Sequence, residues 1–314
     1  MSTKPKLLVT AALPDQAIAL YQRYFQVVHD LSKRRYSASD IVQQSVGAVA
    51  MLVMATDRID SILIRRLPGS VKVIATYSIG TEHIDLQAAK ECGIAVVNAP
   101  DTLSESCADI AFLLMLGAAR RAVEGIELIR TGDWDGWHPA QLIGKDVHGQ
   151  RLGIYGMGRI GRKVAKRAMG FDMQVHYHNR SQLPAELELG AQYHDDLHAL
   201  LAVSDFLCIA CPGGPETRDT IDEDAIGQLP DWAVVTNISR GDIIQDSALI
   251  AALKTGKVAA AGLDVFTNEP FINPEYRTLP NVFGLPHIGS ATSATRVRMA
   301  EGVLRRLLDR IKVD

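Results

Sequence analysis

Arg151-Leu-Gly-Ile-Tyr-Gly-Met-Gly-Arg-Ile-Gly161, RLGIYGMGRIG in one-letter form, is the most informative segment of the chain. A short apolar run of strand character leads into Gly156-x-Gly158-x-x-Gly161, and RKVAKRAMG (162–170) then reads as a helix. A bare G-x-G-x-x-G says little, but between a strand and a helix it is the fingerprint of a dinucleotide-binding turn. Gly156 permits the tight turn, Gly158 lets the backbone approach a pyrophosphate, and Gly161 lets helix and strand pack closely. Met157, Arg159 and Ile160 complete the turn, and the helix start offers N–H groups and partial positive charge to phosphates.

Outward from that turn, strand and helix patterns alternate along the chain. Upstream, KLLVTAA, QVVHDL, AVAMLVMA, KVIATYS and IAVVNAP read as strands, separated by helices such as QAIALYQRYF, SASDIVQQ and DLQAAKECG. From Thr102 to about Thr131 the pattern predicts one long helix, followed by a Gly- and Trp-containing loop to residue 149. QRLGIYG, MQVHYH, DFLCIAC, AVVTNIS, AAAGLDV and NVFGLP form a second series of strands, and a closing helix is expected from about Ala291 to Asp314. Alternation of this kind predicts parallel sheets covered on both faces. The fold class is therefore α/β, with two doubly wound parallel-sheet domains, the second a Rossmann dinucleotide-binding domain. The expected division is residues 1–100 with 290–314, and residues 101–289.

The nucleotide preferred is read at the tip of the strand after the glycine turn. A site for NAD usually places Asp or Glu there, about 20 residues past the first glycine, to bond the ribose 2′-hydroxyl. MQVHYH ends instead in Asn179-Arg180-Ser181, and Asp172 precedes the strand at its wrong end. An amide donor at Asn179 and a guanidinium at Arg180 suit a 2′-phosphate. NADP(H) is the preferred cofactor on this reading, with NAD(H) possible.

Composition narrows the remaining classes. Of 314 residues, 47% are hydrophobic and 22% charged, with a formal net charge of −3. That balance suggests neither nucleic acid nor a membrane surface as a partner. The apolar start LLVTAAL is too short for a signal peptide, and no stretch approaches membrane-spanning length, so a cytoplasmic protein is expected. Cys208-Ile-Ala-Cys211 matches C-x-x-C, yet it lies in an apolar strand where residues three apart face opposite ways. No second pair completes a metal site, so buried packing cysteines and no bound metal are expected.

Five motifs in order carry a more specific signal: YSIGTEHIDL (77–86), GMGRIG (156–161), NISRGD (237–242), GLDVFTNEP (262–270) and LPHIGSAT (285–292). Together they resemble the D-isomer-specific 2-hydroxyacid dehydrogenase family over essentially the whole chain, most closely its NADP-dependent glyoxylate/hydroxypyruvate reductases. The resemblance implies reduction of a small 2-ketoacid, with residues 1–100 and 290–314 forming the substrate domain. It makes Arg240, Glu269 and His287 the catalytic set. Arg240 would hold the substrate carboxylate and polarise the ketone. His287 would donate the proton in reduction, and Glu269 would fix its tautomer and favour its protonated form. Ile79 and Gly80 would offer backbone N–H groups to the carboxylate. Cys107, Cys211, Pro212, Thr217, Ile238, Ser239, Gly289 and Ser290 would join Arg240 and His287 in contacting the cofactor, and Asp264 would contact its nicotinamide side or tune the histidine network. Two positions depart from the family: Cys107 stands where Val or Thr is usual, and Gly213-Gly214 replaces one small and one larger residue.

A formate dehydrogenase would carry Gln in place of Glu269, and a long phosphoglycerate dehydrogenase a C-terminal regulatory domain. The transcriptional corepressors that bind NAD(H) on this fold keep the Arg/Glu/His set but add disordered tails and N-terminal extensions. An enzyme is therefore the expected class, and a corepressor-like binding module or a dehydrogenase for another 2-hydroxyacid the alternatives. The Trp134 and Trp137 segment resembles the family's dimerisation region, so a homodimer is expected.

Overall fold

The computed structural model describes residues 4–29, 36–100 and 102–311, and it divides into two compact units. Residues 1–103 and 290–314 form the first, and residues 104–289 the second. In the first, strands β1 (Lys6–Val9), β2 (Gln26–Val28), β3 (Ala48–Val53), β4 (Val73–Thr76) and β5 (Ala95–Val97) alternate with helices α1 (Asp15–Gln22), α2 (Ala38–Gln44), α3 (Ser61–Arg65) and α4 (Leu86–Glu91). All pairings are parallel, in the order β2-β1-β3-β4-β5. β3 and β4 are covered on both faces, which explains why AVAMLV and VIAT read as unbroken apolar runs. Asp30 and Leu31, at the end of the run QVVHDL, lie outside the described residues.

The second unit opens with α5 (Ser104–Ala119) and α6 (Ala122–Thr131). β6 (Arg151–Tyr155), α7 (Arg159–Ala168), β7 (Gln174–His178), α8 (Ala185–Glu188), β8 (Gln192–His194), α9 (Leu197–Ala202) and β9 (Phe206–Ile209) follow. Then come α10 (Glu223–Gln228), β10 (Ala233–Asn237), α11 (Asp246–Thr255), β11 (Val258–Leu263) and β12 (Val282–Gly284). The chain closes in the first unit with α12 (Ser293–Leu308), and residues 312–314 of the expected closing helix lie outside the described residues. The seven-stranded sheet is parallel throughout, in the order β12-β11-β10-β9-β6-β7-β8. From β6 outward this is the 3-2-1-4-5-6 winding of a Rossmann sheet with one added strand, and the strand order reverses between β6 and β9. α5 lies on the sheet so closely that a Cβ on Gly262 would stand 2.6 Å from the Leu114 carbonyl oxygen. Among the described residues no helix is long and apolar enough to cross a membrane.

Two sequence expectations are corrected. The single helix from Thr102 is two helices, because Arg121 adopts a left-handed conformation (φ 54°) between them. The Ala119 carbonyl turns out of the helix to accept the Lys145 N–H at 2.9 Å, and Arg121 is held by a two-pronged pair to Glu124. The second series of strands has one more member than expected: β8, three residues long, adds to the sheet edge beside β7. At the amino ends of β6 and β9, Arg151 grips Asp205 through two bonds of 2.7 and 2.8 Å. That grip draws the Asp205 carboxyl below the usual carboxylate range.

Candidate active site

The candidate residues of the second unit follow the carboxyl ends of its strands, where ligands of parallel α/β sheets bind. Gly156 follows β6 with φ +101°, and a Cβ there would lie 2.3 Å from the Cys211 backbone nitrogen. A Cβ on Gly161 would lie 2.3 Å from the Gly156 carbonyl oxygen, whereas Gly158 faces open space. α7 follows Gly158, which has no side chain to cap it, and this is the end of a helix where N–H groups lack intrahelical partners. Nothing but glycine fits the first and third positions, and the second leaves room for a pyrophosphate; the turn fits a dinucleotide.

At the tip of β7, Asn179 Oδ1 accepts the Met157 N–H at 2.7 Å, tying the strand tip to the glycine turn. That bond fixes the amide, because an N–H donor must meet the oxygen, and it leaves Nδ2 as the donor toward a ligand. Arg180 is 90% exposed, and its Nη1 lies 3.6 Å from Glu216 Oε2. The sequence places no carboxylate at this tip; the fold brings one there from the loop after β9. Cys211 and Pro212 open that loop, and Thr217 Oγ1 donates to the Pro212 carbonyl at 2.8 Å. Cys208 and Cys211 are buried, with thiols pushed up to about 12 by burial.

β10 leads through Ile238 and Ser239 to Arg240, and the turn is built by a residue the sequence reading passed over. Asn237, fully buried, accepts the Ser239 N–H at 3.0 Å and donates to the Arg240 carbonyl at 2.8 Å. Its signal was the Asn-x-Ser of NISRGD, a local side-chain turn. The Ser239 hydroxyl donates to the Cys211 carbonyl, which joins this turn to the loop after β9. The Arg240 side chain runs past Gly213, where a Cβ would stand 2.6 Å from its Cγ.

Asp264 follows β11 and is 1% exposed. Its two oxygens accept the N–H groups of Ile288 and Gly289 at 2.7 and 2.8 Å, and its carbonyl accepts that of His287 at 2.8 Å. Burial pushes its carboxyl up, against those amide bonds. His287 is thereby held at φ 55°, a conformation unfavourable for any side chain with a Cβ. Its Nδ1 lies 2.8 Å from Glu269 Oε2, while Glu269 Oε1 accepts the Phe266 N–H at 2.9 Å. Burial pushes the Glu269 carboxyl up, but the His287 bond and charge, the Phe266 N–H and the Arg240 charge outweigh it and leave it below the usual range. An ionised carboxylate can only accept, so Nδ1 carries its hydrogen and Nε2 is the atom available for proton exchange.

Cys107 is buried in α5, its Sγ 3.2 Å from where a Cβ on Gly289 would lie. Ile79, Gly80 and Ser290 belong to the first unit, and the other candidate residues to the second. Trp134 and Trp137 stand in the irregular segment after α6, 51% and 78% exposed in the single chain.

Residues 112–289 match the family model described as D-isomer specific 2-hydroxyacid dehydrogenase, NAD binding domain. A glycerate dehydrogenase from Hyphomicrobium methylovorum is 42% identical over 300 residues, covering 95% of this chain and 93% of that protein. A glyoxylate reductase from Thermococcus kodakarensis is 39% identical over 310 residues, covering 97% and 92%. Among solved structures, a protein from Polaromonas sp. JS6 66 assigned to the D-isomer specific 2-hydroxyacid dehydrogenases, NAD-binding, matches with a TM-score of 0.93 at 46% identity, covering 97% and 95%. An NADPH-dependent glyoxylate/hydroxypyruvate reductase from Sinorhizobium meliloti, in complex with NADP and malonate, matches with a TM-score of 0.87 at 30% identity, covering 97% and 93%.

Proposed function

The chain belongs to the D-isomer-specific 2-hydroxyacid dehydrogenase family, and on that footing we propose that it reduces small 2-ketoacids of the glyoxylate and hydroxypyruvate type to D-2-hydroxyacids, with NADPH preferred over NADH. The observation that carries this reading is the His287–Glu269 pair, 2.8 Å apart, set with Arg240 at the carboxyl ends of the sheet that bears the glycine turn.

Gly156, Met157, Gly158, Arg159, Ile160 and Gly161 would hold the pyrophosphate, and Asn179 and Arg180 the adenosine 2′-phosphate. When bound, the reduced nicotinamide supplies the hydride. The residues of this chain do the rest. Arg240 grips the substrate carboxylate and draws charge toward the ketone oxygen. Ile79 and Gly80 would offer backbone N–H groups to a substrate carboxylate. His287 delivers a proton from Nε2 to the oxygen as it becomes an alkoxide, and keeps the hydrogen on Nδ1 against Glu269. Asp264 holds the turn that presents the imidazole. In oxidation of the hydroxyacid the same Nε2 takes the proton back.

Asn179 and Arg180 support the preference for NADPH, as does the NADPH dependence of the Sinorhizobium relative; Glu216, beside Arg180, works against it. We read the protein as a cytoplasmic homodimer. The test is turnover of glyoxylate, hydroxypyruvate, pyruvate, phenylpyruvate and 2-ketogluconate, each with NADPH and with NADH. Glyoxylate or hydroxypyruvate with NADPH should give the highest kcat/KM. Dinucleotide binding without turnover of any ketoacid would refute the enzymatic reading and leave a nucleotide-binding module.

A further inference from the structure

In the loop after β4, two successive carbonyls turn back toward side chains of their own unit. Asn98 Nδ2 donates to the Ile79 carbonyl at 2.6 Å, and Ser78 Oγ donates to the Gly80 carbonyl at 2.7 Å. In a planar trans peptide the N–H of the next residue points opposite to the carbonyl. Pinning these carbonyls therefore turns the Gly80 and Thr81 N–H groups away from Asn98 and Ser78. Among the described residues neither N–H meets an acceptor.

Each pin has a support behind it. Arg306 Nη1, from α12, donates to the Asn98 carbonyl at 3.0 Å and also to Asn98 Oδ1, which leaves Nδ2 to face Ile79. Ser78 Oγ lies 2.7 Å from Thr76 Oγ1, the fully buried last residue of β4, and Thr76 Oγ1 lies 2.9 Å from His83 Nε2. The direction of this chain is forced. A carbonyl can only accept, so the one hydroxyl hydrogen of Ser78 goes to Gly80. Thr76 must then donate to Ser78, and its oxygen must accept from a hydrogen on His83 Nε2.

We infer that Asn98 and the His83–Thr76–Ser78 chain are positioning residues, which aim the Gly80 and Thr81 N–H groups at the carboxylate of the ketoacid. None of them touches substrate; they act by denying the loop any other peptide orientation. The inference rests on the function proposed above, because it takes that carboxylate to be the anion received here. It adds Thr81 to the donors that the sequence suggests.

The experiment uses the full chain with saturating NADPH, and reads kcat and KM for glyoxylate, the inhibition constant of oxamate (a carboxylate analogue that is not reduced) and the dissociation constant of NADPH. Losing one hydrogen bond from the positioning row, Ser78→Ala should raise KM and the oxamate constant by about 5- to 20-fold. Its kcat and NADPH affinity should stay within about twofold, the signature of lost ground-state binding. Ser78→Thr, which keeps the hydroxyl, should restore both constants. Thr76→Val and Thr76→Ser should repeat the pattern one step further back, and they carry the test if Ser78→Ala does not fold. An unchanged KM in Ser78→Ala and Thr76→Val, or a fall in kcat and NADPH affinity as large as the rise in KM, would overturn the inference. Failure of the underlying reading looks different: the parent would turn over no ketoacid, and calorimetry would find no oxamate bound to its NADPH complex.

Discussion

Replacing Asn179 with Asp should invert cofactor preference, and the size of the effect follows from what the amide touches. Asn179 Oδ1 already serves the Met157 N–H at 2.7 Å, and an aspartate oxygen can do the same, so the glycine turn stays in place. The change falls on the other atom, where the donor Nδ2 becomes a charged acceptor. Asn179 is half-buried and its neighbour Arg180 is 90% exposed, so the dielectric is close to that of water. Two unit charges 4 Å apart then interact by about 1 kcal/mol, and a phosphate bearing nearly two charges is repelled by about 2 kcal/mol. The lost charge-assisted bond costs about 1.5 kcal/mol more, so kcat/KM with NADPH should fall roughly 300-fold. With NADH the carboxylate gains a ribose hydroxyl donor, for a rise of about fivefold. Arg180→Ala should weaken NADPH alone, and by only about two- to fivefold, because the guanidinium is exposed and shared with Glu216. The assay is steady-state kcat/KM for each nucleotide at saturating hydroxypyruvate. Equal use of both by the parent, or an unaltered ratio in Asn179→Asp, would mean that selection happens elsewhere.

Three further outcomes are expected. His287→Asn should bind NADPH as the parent does while reduction slows by about 10²–10⁴-fold, the usual worth of a general acid; near-normal turnover would remove His287 from the proton path. Glu269→Gln should slow reduction by at least about tenfold, since the imidazole loses the partner that orients it. Because the Glu269 carboxyl is held below its ordinary value of 4.5, the stability gained from ionising it is fully present above that value and lost as pH falls through the depressed one. The melting temperatures of parent and Glu269→Gln should therefore converge under acid, and a gap that is constant from neutral to acid pH would contradict the pairing. Light scattering at micromolar concentration should give a dimer, with the exposed Trp134 and Trp137 covered; a monomer would leave those tryptophans without their proposed role.

The parts of this molecule that were legible in the sequence are those whose cause is local. The glycine turn, the buried strands and the Asn179-Arg180 tip are each written within a few consecutive residues. β8 escaped because Gln192-Tyr193-His194 is short and half polar, and becomes a strand only by pairing with β7. The break between α5 and α6 escaped because Arg120-Arg121 contains no helix breaker; a distant N–H, that of Lys145, takes the carbonyl of Ala119. Glu216 at the cofactor tip is likewise tertiary, since 36 positions separate it from Arg180. Resemblance supplied the catalytic set. It also named Asp264, but the way that buried carboxylate and its carbonyl hold three successive residues of the His287 turn came from the fold.

The left-handed backbone at His287 sets a contest between durability and activity at a single position. Glycine, and to a lesser degree asparagine, is easier in that conformation than histidine, by about 1–2 kcal/mol for glycine. Selection for folding alone would thus push this site toward residues that cannot carry a proton, and the imidazole persists only under demand for turnover. An inactive descendant of this chain, freed from that demand, would be expected to lose His287 early, the backbone ease gained being set against the lost pair with Glu269.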